Sequence, residues 1–225
     1  MDSAPEQTLK RILVTGGNSG IGAALCKLLV TEHSCFCYLG SRDTAKGEAA
    51  VKQIVDAFPA VGDRIQMLRI DVNDEATIAA AAEFLQAEGV KLYALVNNAG
   101  VGLATEGSGG ARTIVDTNYL GAKRVTAAFV SLIDPVEGRI VNVSSGAASM
   151  WLRRQDEATK TLFSNPDVTQ EQLDAAVNSF LSGDFAYGLS KAALTAMTMI
   201  HAKAYPNLKV TSLSPGFIDV RFPTL

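Results

Sequence analysis

The chain has 225 residues, of which 48 % are apolar and 19 % charged, with a net charge of −3. That is enough for one α/β domain with a sizeable core, and the charge content is too low for a disordered chain. Acids and bases are interspersed, which excludes the basic face that nucleic acid requires.

Cys26, Cys35 and Cys37 show no CxxC spacing, and His33 and His201 have no partner at ligand spacing. The expectation is three reduced thiols and no metal centre. Residues 1–9 lack the apolar run of a secretory leader, and no later run reaches membrane-spanning length. A cytoplasmic protein without membrane or nucleic-acid partners is expected.

Behind an irregular tail at 1–9, short apolar runs alternate with amphipathic stretches. Residues 11–15 read as a first strand, and Ile21, Leu25, Leu28 and Leu29 recur at helical spacing after it. Residues 35–39 form a second strand. Val51, Ile54, Val55 and Phe58 mark a helix face that Pro59 and Gly62 close. Residues 64–70 form a third strand. Asn73 is expected to cap the helix carrying Ile78, Ala81, Ala82 and Leu85, which Gly89 stops, and 92–96 is the fourth strand. A glycine-rich loop at 102–110 leads into one long helix from about Arg112 to about Ile133. Residues 139–143 form a fifth strand, a helix opens near Ala186 and runs to about Ala204, and 209–213 form a sixth strand. Strands alternating with helices imply right-handed crossovers and a parallel sheet covered on both faces.

The segment 146–185 breaks this rhythm, because a short connection would suffice there. Thr169 and Gln172 match a capping box, Val168 and Leu173 a hydrophobic staple. Leu173, Val177, Phe180 and Leu181 then form an apolar stripe, so one inserted helix packed on the surface near the site is expected. Trp151 with Leu152 fits either a substrate entrance or an anchor for the insertion. Asp156 and Glu157 read as solvated charges.

The first strand runs into Thr15-Gly16-Gly17-Asn18-Ser19-Gly20-Ile21-Gly22 and then a helix. Glycines permit a tight turn and close approach of a pyrophosphate, and the helix N-terminus offers free N–H groups. Strand, turn and helix in that order define a dinucleotide site on a Rossmann-type doubly wound domain, with Gly16, Asn18, Ser19, Gly20, Ile21 and Gly22 as its phosphate turn. The second strand ends in Gly40-Ser41-Arg42. With Arg42 where an acid would bind the ribose hydroxyls of NAD, NADPH is the expected cofactor. Asp43 is expected to face solvent near the next helix's N-terminus.

Tyr187 and Lys191 lie four apart on a helix and share a face. A neighbouring ammonium favours phenolate, which makes a usable acid or base. Asn97-Asn98-Ala99-Gly100 closes the fourth strand and Ser144-Ser145 the fifth, at the sheet edge where open α/β sheets bind ligands.

Taken together, 15–22, 97–100, Asn118, Ser145 and Tyr187 with Lys191 resemble the short-chain dehydrogenase/reductase family, over 11–218. The Arg42 region, residues 140–145 and the long insertion are similar to its monomeric carbonyl reductase branch. The resemblance implies a monomer whose insertion covers the helix face that others use to oligomerise. It implies reduction of an aldehyde, ketone or quinone by hydride transfer from NADPH. In that reading Tyr187 is the acid, Ser145 holds the carbonyl and Lys191 binds the ribose hydroxyls. Asn118 holds a water of the proton relay, Asp71 and Val72 flank the adenine, Asn98 lies beside the adenosine ribose, and Ala99 and Gly100 join the cofactor-binding residues. Pro215 and Gly216 belong to the loop beside the nicotinamide.

Two departures leave an alternative open. Val220 stands where the family has a threonine for the carboxamide, and the sequence ends at Leu225 before a further substrate loop, helix and strand. These imply an exposed sixth strand and favour the alternative, a weakly active or non-catalytic dinucleotide-binding protein, whereas the set Asn118, Ser145, Tyr187 and Lys191 favours the carbonyl reductase.

Overall fold

A computed structural model of the chain describes residues 9–102 and 110–216. In chain order these form β1 (Arg11–Val14), α1 (Gly20–Thr31), β2 (Phe36–Ser41), α2 (Thr44–Ala57), β3 (Ile65–Arg69), α3 (Glu75–Ala87) and β4 (Ala94–Asn97). There follow α4 (Ala111–Val115), α5 (Gly121–Phe129), β5 (Arg139–Val143), α6 (Ala147–Leu152), α7 (Glu157–Ser164), α8 (Gln170–Ser179), α9 (Ala186–Ala204) and β6 (Lys209–Leu213).

All six expected strands pair in parallel, in the order β3-β2-β1-β4-β5-β6. The winding reverses between β1 and β4, and the crevice this opens lies at the carboxyl ends of the strands. Burial on both faces explains why Ile12, Leu13 and Val14 of β1 are all apolar. Ile12 and Val14 pack with Cys26 of α1 and Ile54 of α2. Leu13 packs with Ile78 and Leu85 of α3 and Phe129 of α5. Alternate residues of a strand point to opposite faces, and here both faces are covered.

Several local expectations are corrected. Asp74, not Asn73, caps α3 by accepting a 3.0 Å hydrogen bond from Ala76 N, while Asn73 gives its amide to Thr117 Oγ1 at 2.9 Å. The helix expected over 112–133 is interrupted by a π-helical turn, Asp116–Leu120, and ends in a 3₁₀ turn. Such turns inside α-helices are rare and gather at functional sites. After α2, Pro59 opens a 3₁₀ turn that buries Val61.

The insertion holds three helices rather than one. The capping box of α8 forms as expected between Thr169 and Gln172, and Val168 and Leu173 are buried in one cluster. Asp156 is exposed, as expected, and also caps α7, accepting from Thr159 N at 2.8 Å. Trp151 is an anchor, 3 % exposed, with its ring 5.1 Å from Phe163 and 5.2 Å from Phe180. A polar knot fastens α8 to the π turn and α5. Tyr119 donates its hydroxyl to Asp174 at 2.5 Å, Lys123 pairs with Asp174 at 2.6 Å, and Gln170 bonds to both Tyr119 and Asp174. Burial and the Asp174 carboxylate push the Tyr119 phenol well above its ordinary pKa.

Among the described residues β6 is a sheet edge with alternate residues exposed, in line with the expectation. The tail at 1–8, residues 103–109 of the glycine-rich loop, and Val220 lie outside the described residues. Among the described residues no helix is long and apolar enough to cross a membrane.

Candidate active site

A groove of about 690 Å³ runs along the carboxyl ends of the strands, across the switch between β1 and β4. The glycine turn forms its floor. Gly16 has φ +64°, and a Cβ there would lie 2.9 Å from Ala99 Cα. Thr15 Oγ1 accepts from Asn98 N and Ala99 N, both at 3.0 Å, and Asn98 Nδ2 returns a 2.8 Å bond to Thr15 O. The turn after β1 and the end of β4 are thereby one rigid unit.

Gly16, Asn18, Ser19, Gly20 and Ile21 line the groove. Ser19 precedes α1 in extended conformation and makes no capping bond, so the helix N-terminus keeps its N–H groups and partial positive charge for an anion. Gly22 does not line the groove. A Cβ there would lie 2.3 Å from Gly16 O and 2.5 Å from Asn98 Nδ2, so its role is to let α1 pack onto the turn.

At one end stand Arg42, Asp43 and Lys46. Asp43 caps α2, accepting from Lys46 N at 3.0 Å, which fits the expectation for this acid. Lys46 was not singled out from sequence. Its signal was a second base four residues after Arg42, in the first turn of α2. Asp71, Val72, Asn98, Ala99 and Gly100 line the next stretch, joined by Asn73 and Thr117, neither of which the sequence had placed at the site.

At the other end the groove meets Ser145, Tyr187, Lys191, Pro215 and Gly216. The two serines of β5's end are told apart by their bonds. Ser144 is 7 % exposed and spends its hydroxyl on Lys191 O and Thr195 Oγ1. Ser145 is half-buried, and its Oγ accepts from Ala147 N at 3.2 Å, which leaves the O–H proton to donate. Lys191 is buried, its Nζ 5.7 Å from the centre of the Tyr187 ring and 2.7 Å from Val143 O, which accepts from it. Burial lowers its pKa to about 8.

Asn118 is not among the residues that line the groove. Its side chain lies behind the groove, where Oδ1 accepts from Val101 N at 2.7 Å and Nδ2 donates to Val101 O and Ser190 Oγ, both at 3.0 Å. It ties the loop after β4 to α9, between Tyr187 and Lys191.

The glycine turn, the free helix N-terminus and the phenol–ammonium–hydroxyl set thus share one groove. Its length from Arg42 to Tyr187 and its mixed polar lining suit an extended, phosphate-bearing ligand such as a dinucleotide.

The chain belongs to the short-chain dehydrogenase family, whose model matches residues 10–156. It is an oxidoreductase of that family. It is 31 % identical to a (+)-neomenthol dehydrogenase of Arabidopsis thaliana, over 97 % of this chain and 87 % of that protein. It is 32 % identical to carbonyl reductase [NADPH] 1 of Homo sapiens, over 85 % and 73 %. The solved structure of a menthone neomenthol reductase from Mentha piperita superimposes with a TM-score of 0.83 at 31 % identity, covering 92 % of this chain and 90 % of that one.

Proposed function

We propose that the protein is an NADPH-dependent carbonyl reductase, acting on an aldehyde, ketone or quinone with Tyr187 as the acid. The observation that carries this is the convergence of Ser145, Tyr187 and Lys191 on the groove that also holds the glycine turn. Relatives named for carbonyl reduction and for neomenthol point to the same chemistry.

Tyr187, Lys191, Pro215 and Gly216 would hold the nicotinamide end of the cofactor, which when bound would supply the hydride. Ser145 donates its hydroxyl to the carbonyl oxygen, orienting it and stabilising the charge that develops there. Tyr187 delivers its proton to the same oxygen. Lys191 uses one of its three donors on Val143 O and has two left for ribose hydroxyls. Its charge favours loss of the phenolic proton. Asn118 ties Val101 to Ser190 of α9, and so helps set the spacing of these groups. Asp71 and Val72 line the groove where they would flank the adenine.

Choice of NADPH over NADH rests on Arg42 and Lys46, which present two cations at the end of the groove, while Asp43 is engaged as a cap. The name of the mammalian carbonyl reductase points the same way. Residues 9–216 are read as one domain and a monomer, because α6, α7 and α8 lie against α9. Three free, buried cysteines fit a reducing, cytosolic setting.

The test is Tyr187→Phe, followed by NADPH oxidation with a carbonyl panel and by cofactor titration. Turnover should fall by about 10²–10⁴-fold, with the NADPH Kd changed by less than about threefold. Near-normal turnover would refute Tyr187 as acid. A wild-type protein that binds NADPH yet reduces nothing in the panel would favour a non-catalytic dinucleotide-binding protein.

A further inference from the structure

Arg124, on α5, does not line the groove, yet it holds part of the groove's wall. Its guanidinium spreads over three acceptors on two segments. Nε donates to Val72 O at 2.9 Å, and Nη2 donates to Asn73 Oδ1 and to Asp116 O, both at 3.0 Å. Asp116 O also accepts the Gly121 N–H that closes the π turn, so both lone pairs of that carbonyl are used.

The loop after β3 is pinned from further sides as well. Asn73 Nδ2 donates to Thr117 Oγ1 at 2.9 Å, and Asn73 N donates to Asp71 Oδ1 at 2.9 Å. Gly121 lets Val72 press against α5, since a Cβ there would lie 2.8 Å from Val72 Cγ2. Asp71, Val72, Asn73 and Thr117 all face the groove. The π turn thus brings Gly121 and Arg124 under one loop, and a planar fork of donors is what can reach its acceptors together.

We propose that Arg124 is a positioning residue for the adenosine half of the cofactor, fixing loop 71–73 as one wall of that subsite. This rests on the dinucleotide reading above. Arg124 touches no ligand itself. It acts through Val72 and Asn73, so its loss weakens one half of the groove and leaves the Tyr187 end intact.

The test compares wild type, Arg124→Met and Arg124→Lys by NMR titration with NADPH, 2′,5′-ADP and nicotinamide mononucleotide. Arg124→Met keeps the apolar stem and loses every donor. It should weaken NADPH and 2′,5′-ADP about tenfold and leave nicotinamide mononucleotide within about twofold. Hydrogen exchange at the Asn73 amide should speed up while α5 stays protected. Arg124→Lys, whose ammonium reaches only some of the acceptors, should fall between. If the Met variant does not fold, the Lys variant should show the same split at smaller amplitude. Unchanged 2′,5′-ADP affinity, or equal loss for both fragments, overturns the proposal. Failure of the wild type to bind NADPH and 2′,5′-ADP removes the dinucleotide reading and this proposal with it.

Discussion

Lys191 Nζ donates a 2.7 Å hydrogen bond to the main-chain oxygen of Val143, the last residue of β5. That bond is how the sheet sets the position of the catalytic helix, and it holds a cation where solvent scarcely reaches. Burial brings the pKa of Lys191 down to about 8 from an ordinary 10.5.

The sign of the consequence follows from linkage. Between pH 8 and 10.5 the unfolded chain binds the proton more tightly than the folded one, so stability of the cofactor-free protein rises with pH across that window. The gain is about 3 kcal/mol. Lys191→Met should remove this slope and raise stability at neutral pH while turnover falls by at least about a hundredfold. Denaturant unfolding at stepped pH, with an NADPH oxidation assay, checks both. A slope that persists in the variant would assign it to another group.

Arg42→Ala and Lys46→Ala should each raise the KM for NADPH by about 10-fold or more and leave NADH nearly unchanged. Steady-state kinetics with both cofactors measures this. Wild-type protein that binds NADH more tightly than NADPH would defeat the assignment.

Asp174→Ala should loosen α8 by removing the acceptor shared by Tyr119, Lys123 and Gln170. The Lys123–Asp174 pair is about one-third exposed, so the cost is set at about 1–2 kcal/mol rather than the full value of a buried charge pair. For a chain of this size that is a Tm lower by about 2–8 °C. Faster hydrogen exchange confined to Gln170–Ser179 would localise the effect, and unchanged protection there would count against the knot as the fastening of the insertion.

His201, 8 % exposed on α9, has its pKa lowered to about 4, first by burial and then by the charge of Lys123. Above pH 6.5 the imidazole is neutral in both states. As pH falls from 6.5 to 4 the unfolded chain takes up a proton that the folded chain refuses, so stability drops by about 3 kcal/mol. His201→Leu should flatten the thermal unfolding curve against pH in that window. An unaltered curve would show that other groups govern acid sensitivity.

The sheet and the glycine turn were legible because their signals are local. Short apolar runs, glycines at fixed offsets and a helix start are all written within a few residues, and the strand at 209–213 and the helix from near Ala186 to about Ala204 form where the sequence puts them. The capping box of α8 is local too, and it formed as read. The other helices of the insertion were missed because α6 and α7 are short, six and eight residues, and carry little periodic signal. Asn73 was misread as a cap because its neighbour Asp74 offers the same chemistry, and only the distant Thr117 and Arg124 settle which of the two is free to cap.

The order of residues alone therefore determined a parallel α/β sheet, a turn built for phosphate and a tyrosine one helical turn before a lysine. Packing between segments far apart in the chain decided the rest. It turned Asn118 away from the groove and onto Ser190, separated the duties of Ser144 and Ser145, and set Arg124 beneath the loop after β3. Side-chain direction depends on which partner is within hydrogen-bond reach, and that reach is fixed only once the sheet has brought the strands and helices together.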